Sequence, residues 1–246
     1  MPEQQLWFTA LLNHLFGKPV TGLLEAIGIY PEFPTHPIPD YLAMEILVVA
    51  IIMALLGWVR GHLSVDRPGK MQQVLELASD GLASQVDEII GHGGRQFLPL
   101  LFTLGFFILL SNVFGEIPHM GTPTQAIYVT VGCALVTLVY YHFHGIRHHG
   151  VLGYLRTFMG PVLVIGPLMF VIEIVSHLAR GLSLSVRLFA NMLAGEKITE
   201  IIFERILGLG APVIFMALHL FVGALQAYIF VLLTMIYLSG AVSEEH

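Results

Sequence analysis

The stretch SVRLFANMLAGEKI, Ser185–Ile198, sets an arginine, an asparagine, a glutamate and a lysine between two apolar runs of membrane-spanning length. A bilayer makes such residues expensive, so they sit at an interface or carry a function. The surrounding composition fixes the setting. Of 246 residues, 56% are hydrophobic and 11% charged, against roughly 25% charged in soluble domains. Mean hydropathy is +0.79. The chain reads as an integral membrane protein.

Composition also excludes several classes. Net charge is −6 and the 11 lysines and arginines are dispersed, so there is no basic footprint for nucleic acid. The single cysteine, Cys133, lies in an apolar run and reads as a packing residue; one cysteine gives neither a disulfide framework nor a cysteine metal cluster. His142, His144, His148 and His149 in YHFHGIRHHG lack a paired carboxylate or thiolate and make weak metal ligands. No phosphate loop, GxSxG elbow or HExxH pair occurs, and no cofactor is expected. The first apolar run follows a polar, proline-rich stretch rather than a basic n-region, so no signal peptide is expected.

The fold expected is all-α and membrane-embedded, with about five transmembrane helices, an amphipathic surface helix and two long tilted helices at the C-terminal end. Residues 1–40 hold a short amphipathic piece, Leu6 to Phe16, and then Pro19, Pro31, Pro34, Pro37 and Pro39. That proline density argues against one continuous helix, and the segment is expected to be extended and extracytoplasmic. Residues 41–246 are expected to form one transmembrane domain. Spans are expected at Tyr41–Val59, Phe97–Phe114, Ala126–Phe143 and Phe158–Ile174, the last interrupted by Pro161, Pro167 and Glu173. A final run covers Ala211–Leu238. From Met71, Val74, Leu75, Ala78, Leu82, Val86, Ile89 and Ile90 recur at helical spacing opposite a polar face, as in a surface helix packed at the membrane.

Basic residues orient the chain. Arg60, Arg67, Lys70 and Arg95 separate spans one and two, Arg147 and Arg156 separate three and four, and the link between two and three has none. The positive-inside rule then puts the N-terminus outside and the C-terminus in the cytoplasm. Arg180, Arg187, Lys197 and Arg205 break this map, because they fall in a link that should be external. The resolution expected is a long helix at membrane depth, its charges facing protein or water.

Helix geometry supports that. At about 100° per residue from Glu173, His177 falls near 40°, Arg180 near −20°, Arg187 near −40° and Asn191 near 0°. Those side chains share one face over roughly 27 Å. His219, Gln226 and Tyr237 share a second face on the last helix, where they can exchange or relay hydrogen bonds. Glu196, about 140° away from Glu173, follows Gly195, where the helix is expected to end or bend. Glu196 and His219 would then meet from two helices. Blander readings stand beside these: His219 as an interhelical hydrogen bond, Arg187 as a structural partner of Glu173, and Arg180 and Lys197 as interfacial snorkellers. Glu45, in the first span, lines a water path or sits near the interface.

LSLSVRLFANMLAGEKI resembles the signature of the a subunit of the F-type ATP synthase membrane sector. ALHLFVGALQAYIFVLLTMIYLSGAVSEEH is similar to that family's last helix, and SVDRPGKMQQVLE and SNVFGEIPHMGTPTQ to two of its connecting segments. The resemblance covers roughly residues 35–246. It implies a non-catalytic stator subunit that lets protons reach a rotating c-ring, beside a b subunit stator stalk and the other synthase subunits, in the lipid of a bacterial plasma membrane. It also implies roles. Arg187 matches the stator arginine, Asn191 the asparagine beyond it, and Glu196 and His219 the inlet pair. Gln226 matches the glutamine near the arginine, and Glu173 the outlet carboxylate. His177, Arg180, Tyr237 and Glu45 are further path-lining candidates. One departure is Ala190, where many members have glycine. Two rivals share the intramembrane charges: a self-contained cation/proton transporter, and a structural membrane anchor.

Overall fold

The computed structural model describes residues 6–28, 36–91, 93–117, 120–159, 165–205 and 210–242. Pro31, Pro34, Pro161 and Ser243–His246, which entered the sequence reading, lie outside the described residues. Among the described residues there are seven α-helices: α1 Trp7–Ala26, α2 Asp40–Gly61, α3 Lys70–Ile89, α4 Leu98–Phe114, α5 Ile127–Thr157, α6 Gly166–Arg205 and α7 Gly210–Val242. Short 3-10 turns occupy Gly94–Phe97 and Pro123–Gln125. Among the described residues, five helices are long and apolar enough to cross a membrane. They are α2, α4 with its leading turn, α5, α6 and α7.

The four later spans form the core. Leu104 and Ile108 of α4, Cys133 and Ala134 of α5, Leu184, Leu188 and Met192 of α6, and Ala227 and Phe230 of α7 bury one another. The packing role expected of Cys133 is what the helices give it. A second cluster joins Phe97, Leu101, Tyr141, Val231, Met235 and Leu238 to Val86 of α3. Only the C-terminal half of α3 docks this way. Val74 and Leu77 remain exposed, while Ser239 Oγ donates to the Ile89 carbonyl at 2.8 Å and ties α7 to the end of α3.

Three local expectations change. Trp7–Ala26 of the N-terminal segment is helical where the segment was expected to be extended: α1 continues through Pro19. It docks by its polar face. Asn13 Nδ2 donates to the Ile38 carbonyl and Asn13 Oδ1 accepts from the Ile38 N–H, both at 3.0 Å. Thr9 and Gly17 are buried beside it, while Trp7, Leu11, Leu15, Phe16, Leu23 and Ile27 face outward. A side chain that bridges both polar groups of a neighbouring backbone gives α1 an attachment that Pro19, which costs one carbonyl its partner, does not disrupt.

The third span is longer than Ala126–Phe143. The histidine-rich link is itself helical, continuing α5 to Thr157 across a break at Gly150, where φ is 73° and ψ 164°. Only glycine takes such a φ without strain.

The charges that broke the orientation map have a simple location. Arg180, Arg187, Lys197 and Arg205 all lie on α6, not in a loop. Its 40 residues would reach ~60 Å at ~1.5 Å per residue, about twice a hydrocarbon core of ~30 Å. Such a helix cannot stand upright within the bilayer. It also runs unbroken through Gly195, where an end or bend was expected.

Candidate functional site

Polar side chains gather at two places along α6, with Arg187 between them. The first is near its start. His177 Nε2 lies 3.3 Å from Glu173 Oε1 and one turn along the same helix. The Arg180 guanidinium lies 3.8 Å from the same oxygen and 5.5 Å from the centre of the Tyr237 ring on α7. From α5, the Tyr141 hydroxyl meets His177 Nδ1 at 2.8 Å. Tyr154 reaches His142 Nδ1 at 3.3 Å beside them. Periodicity had put Glu173, His177 and Arg180 on one face; α5 and α7 supply the aromatic walls. Glu173 is thus matched to His177 and Arg180 and not to Arg187.

The second place is built from three elements. Asn112, two residues before the end of α4, donates from Nδ2 to the Gly223 carbonyl of α7 at 2.9 Å and accepts at Oδ1 from the Thr124 hydroxyl at 2.7 Å. A Cβ at Gly223 would already lie 3.1 Å from Asn112 Cβ, so the two helices meet closely there. Because α4 and α7 run antiparallel, four residues onward on one lies beside four residues back on the other. That register brings Glu116 to His219: Glu116 Oε1 pairs with His219 Nδ1, with side-chain exposures of 13% and 10%. Tight turn bonds, Glu116 N–H to Val113 O and Ile117 N–H to Phe114 O at 3.1 Å each, hold the carboxylate just past the helix end. Burial pushes the Glu116 carboxyl above its ordinary value, and His219 draws it back only in part. The other face of the imidazole packs on Gly195 of α6, where any Cβ would collide with the ring. Gly195 is therefore a point of close approach rather than a helix end, and it brings His219 alongside the backbone next to Glu196. His219 Nε2 is buried without a hydrogen-bond partner among the described residues.

The remaining candidates fall elsewhere. Arg187 is exposed on α6 and makes no ion pair or hydrogen bond with a described residue. Ser183, Ala190 and Ala194, small residues at one- and two-turn spacing, are exposed with it. Asn191 is half-buried one turn on. Gln226 is buried on α7, adjacent to Ala227 of the shared core. Glu45 is half-buried on α2 and joins neither cluster by a hydrogen bond or ion pair among the described residues. Among the described residues, no group of three or more His, Cys, Asp or Glu could hold a metal ion.

Sequence reasoning missed Glu116. The signal lay in GEIPHMGTPTQ, a connection without lysine or arginine whose lone carboxylate follows an apolar span. Nothing in a single helix's periodicity pairs it with a histidine a hundred residues away.

Comparison with known proteins gives the family. The family model for the ATP synthase A chain matches residues 42–239. The ATP synthase subunit a of Koribacter versatilis (strain Ellin345) is 45% identical over 246 residues, 100% of both chains. That of Solibacter usitatus (strain Ellin6076) is 45% identical over 230 residues, 94% of this chain and 96% of the relative. The subunit a of Geotalea daltonii is 39% identical over 209 residues. With a family model across most of its length and full-length relatives at this identity, the chain belongs to the ATP synthase A chain family.

Proposed function

We propose that this chain is the proton-conducting stator subunit of an F-type ATP synthase, with Arg187 dividing two half-channels that each open to one side of the membrane. The observation that carries the reading is the placement of Arg187: exposed, unpaired among the described residues and set on α6 between the Glu173–His177 pair and Gly195, where the Glu116–His219 pair packs against the helix. By helix rise Glu173 lies ~21 Å to one side of it and Glu196 ~14 Å to the other. A charge left outward on an apolar helix invites a carboxylate from another chain, and the small residues Ser183, Ala190 and Ala194 allow a close approach. The partner carboxylate belongs to the c-ring in this reading. The b subunit and the other synthase subunits complete the complex, in a bacterial plasma membrane with the N-terminus outside and the C-terminus in the cytoplasm.

Protons reach the ring through the Glu116, His219 and Glu196 region and neutralise a ring carboxylate. Neutral, it can turn into lipid, where its ionised form would cost many kcal/mol. After nearly a full turn it gives up its proton toward Glu173 and the cytoplasm. A guanidinium stays protonated at any working pH, so Arg187 cannot itself relay protons. It attracts the ionised ring carboxylate and blocks a direct leak between the two paths. The driving force is about 2.3 kcal/mol per charge per 100 mV, so several protons pass for each ATP made elsewhere.

The test uses inverted membrane vesicles carrying Arg187→Ala. ATP-driven pumping is lost with the complex still assembled, and passive proton leak rises. Normal coupled pumping would overturn the proposal in favour of a structural anchor.

A further inference from the structure

The cluster at the start of α6 contains more order than an outlet carboxylate needs. His177 is 9% exposed and Tyr141 1%. The imidazole is caged: His142 and Phe158 stand edge-on to it at 4.8 and 5.0 Å between ring centres, and Tyr141 stacks on it at 5.5 Å. A ring held on three sides cannot rotate, so its two nitrogens have fixed neighbours. Nδ1 meets the Tyr141 hydroxyl at 2.8 Å, and Nε2 faces Glu173 Oε1 at 3.3 Å.

Neutral imidazole offers one donor and one acceptor. Whenever Glu173 is ionised it only accepts, and the nitrogen facing it then carries the hydrogen. Nδ1 must then accept, and the Tyr141 hydroxyl is the donor in place. The opposite tautomer would set the lone pair of Nε2 against a carboxylate oxygen.

Resting on the outlet reading of Glu173, we infer that Tyr141 is a positioning residue: it fixes His177 as an Nε2–H donor, and His177 holds Glu173 ready to release its proton. Tyr141 touches neither the ring carboxylate nor the travelling proton. It acts through His177. The other groups that face this site are His142 and Tyr154 from α5, Arg180 from α6 itself and Tyr237 from α7. Arg180 stands at 3.8 Å and contributes charge without setting the tautomer.

The experiment measures ATP-driven pumping by inverted vesicles carrying the whole complex, as a ratio to the parent across external pH. The external face is the one Glu173 serves. Losing a donor to the ionised form makes a carboxylate hold its proton to higher pH. Tyr141→Phe and His177→Leu are expected to lower the rate at neutral pH and to move the alkaline limb up by about one pH unit. The double variant Tyr141→Phe/His177→Gln is expected to keep the parental limb, because the glutamine amide donates without a tautomer to choose. Variants that lower pumping equally at every pH, or a double variant shifted like Tyr141→Phe, would overturn the inference. Glu173→Gln separates the two levels. If it removes the limb while Tyr141→Phe and His177→Leu leave it in place, the positioning role alone falls. If Glu173→Gln keeps the parental limb, the outlet reading falls and this inference with it.

Discussion

Near its start, α6 supplies most of a polar site by itself, Glu173, His177 and Arg180 recurring on one face and α5 and α7 closing it with aromatic rings. Near Gly195 the same helix supplies room: it leaves out a side chain so that His219 can lie against it while Glu116 arrives from beyond α4. The first site has its charged groups written along one helix, so their spacing from one another survives small shifts between helices. The second exists only if the register of α4, α6 and α7 is right. A site held by register should fail when packing is altered at a distance; a site held by periodicity should not.

The largest expected effect is at His219. Leucine there leaves the Glu116 carboxylate buried and alone, which typically costs about 3–5 kcal/mol. The thermal midpoint of the purified complex should fall and pumping should be lost. Adding Glu116→Leu removes the orphaned charge, so the double variant should regain most of the thermal midpoint and none of the pumping. A double variant no more stable than His219→Leu would mean that the pair is not the unit the register builds.

Gly195→Ala comes next. The new methyl group meets the imidazole, and overpacking of this kind costs about 1–3 kcal/mol. Pumping should drop at least several-fold although no titratable group has changed. Parental pumping would show that the ring has another place to go. Asn112→Ala removes two hydrogen bonds, each worth about 1 kcal/mol. Its transport defect should be smaller than that of Gly195→Ala and should come with a lower thermal midpoint. Smallest is Tyr237→Phe, which keeps the ring under Arg180; cation–π attraction is about 0.5–2 kcal/mol and needs no hydroxyl. Pumping should stay within about two-fold of the parent, and a loss as large as that of Gly195→Ala would give the hydroxyl a role the contacts do not.

This contrast explains what the sequence disclosed. The extents of α2, α4 and α7 were legible from hydropathy because lipid demands unbroken apolar runs. The span expected at Phe158–Ile174 instead lies at Gly166–Thr199 on α6, running on through the charged stripe. The α6 stripe was legible because a helix repeats about every 3.6 residues, so Glu173, His177, Arg180, Arg187 and Asn191 announced one face. Glu116 did not announce itself. It lies outside any helix, and its partner is fixed by the antiparallel register of α4 and α7, which the Asn112–Gly223 bond sets. Gly195 was misread for a related reason. A glycine in a helix reads as an end or a bend unless the residue that fills its gap is known, and here that residue is on α7. Pro19 was overweighted in α1, whose attachment depends on Asn13 meeting the backbone of Ile38.

The most direct test of the central claim, that two polar sites lie along α6 and open to opposite sides of the membrane, is sided chemical access. Cys133, buried in the core and the one native thiol, is replaced by alanine, and single cysteines are placed at Glu116 and at Glu173. A membrane-impermeant methanethiosulfonate is then applied to right-side-out and to inverted vesicles. The cysteine at 116 is expected to be modified only from the extracytoplasmic face and the cysteine at 173 only from the cytoplasmic face. Modification of both from the same face would contradict it.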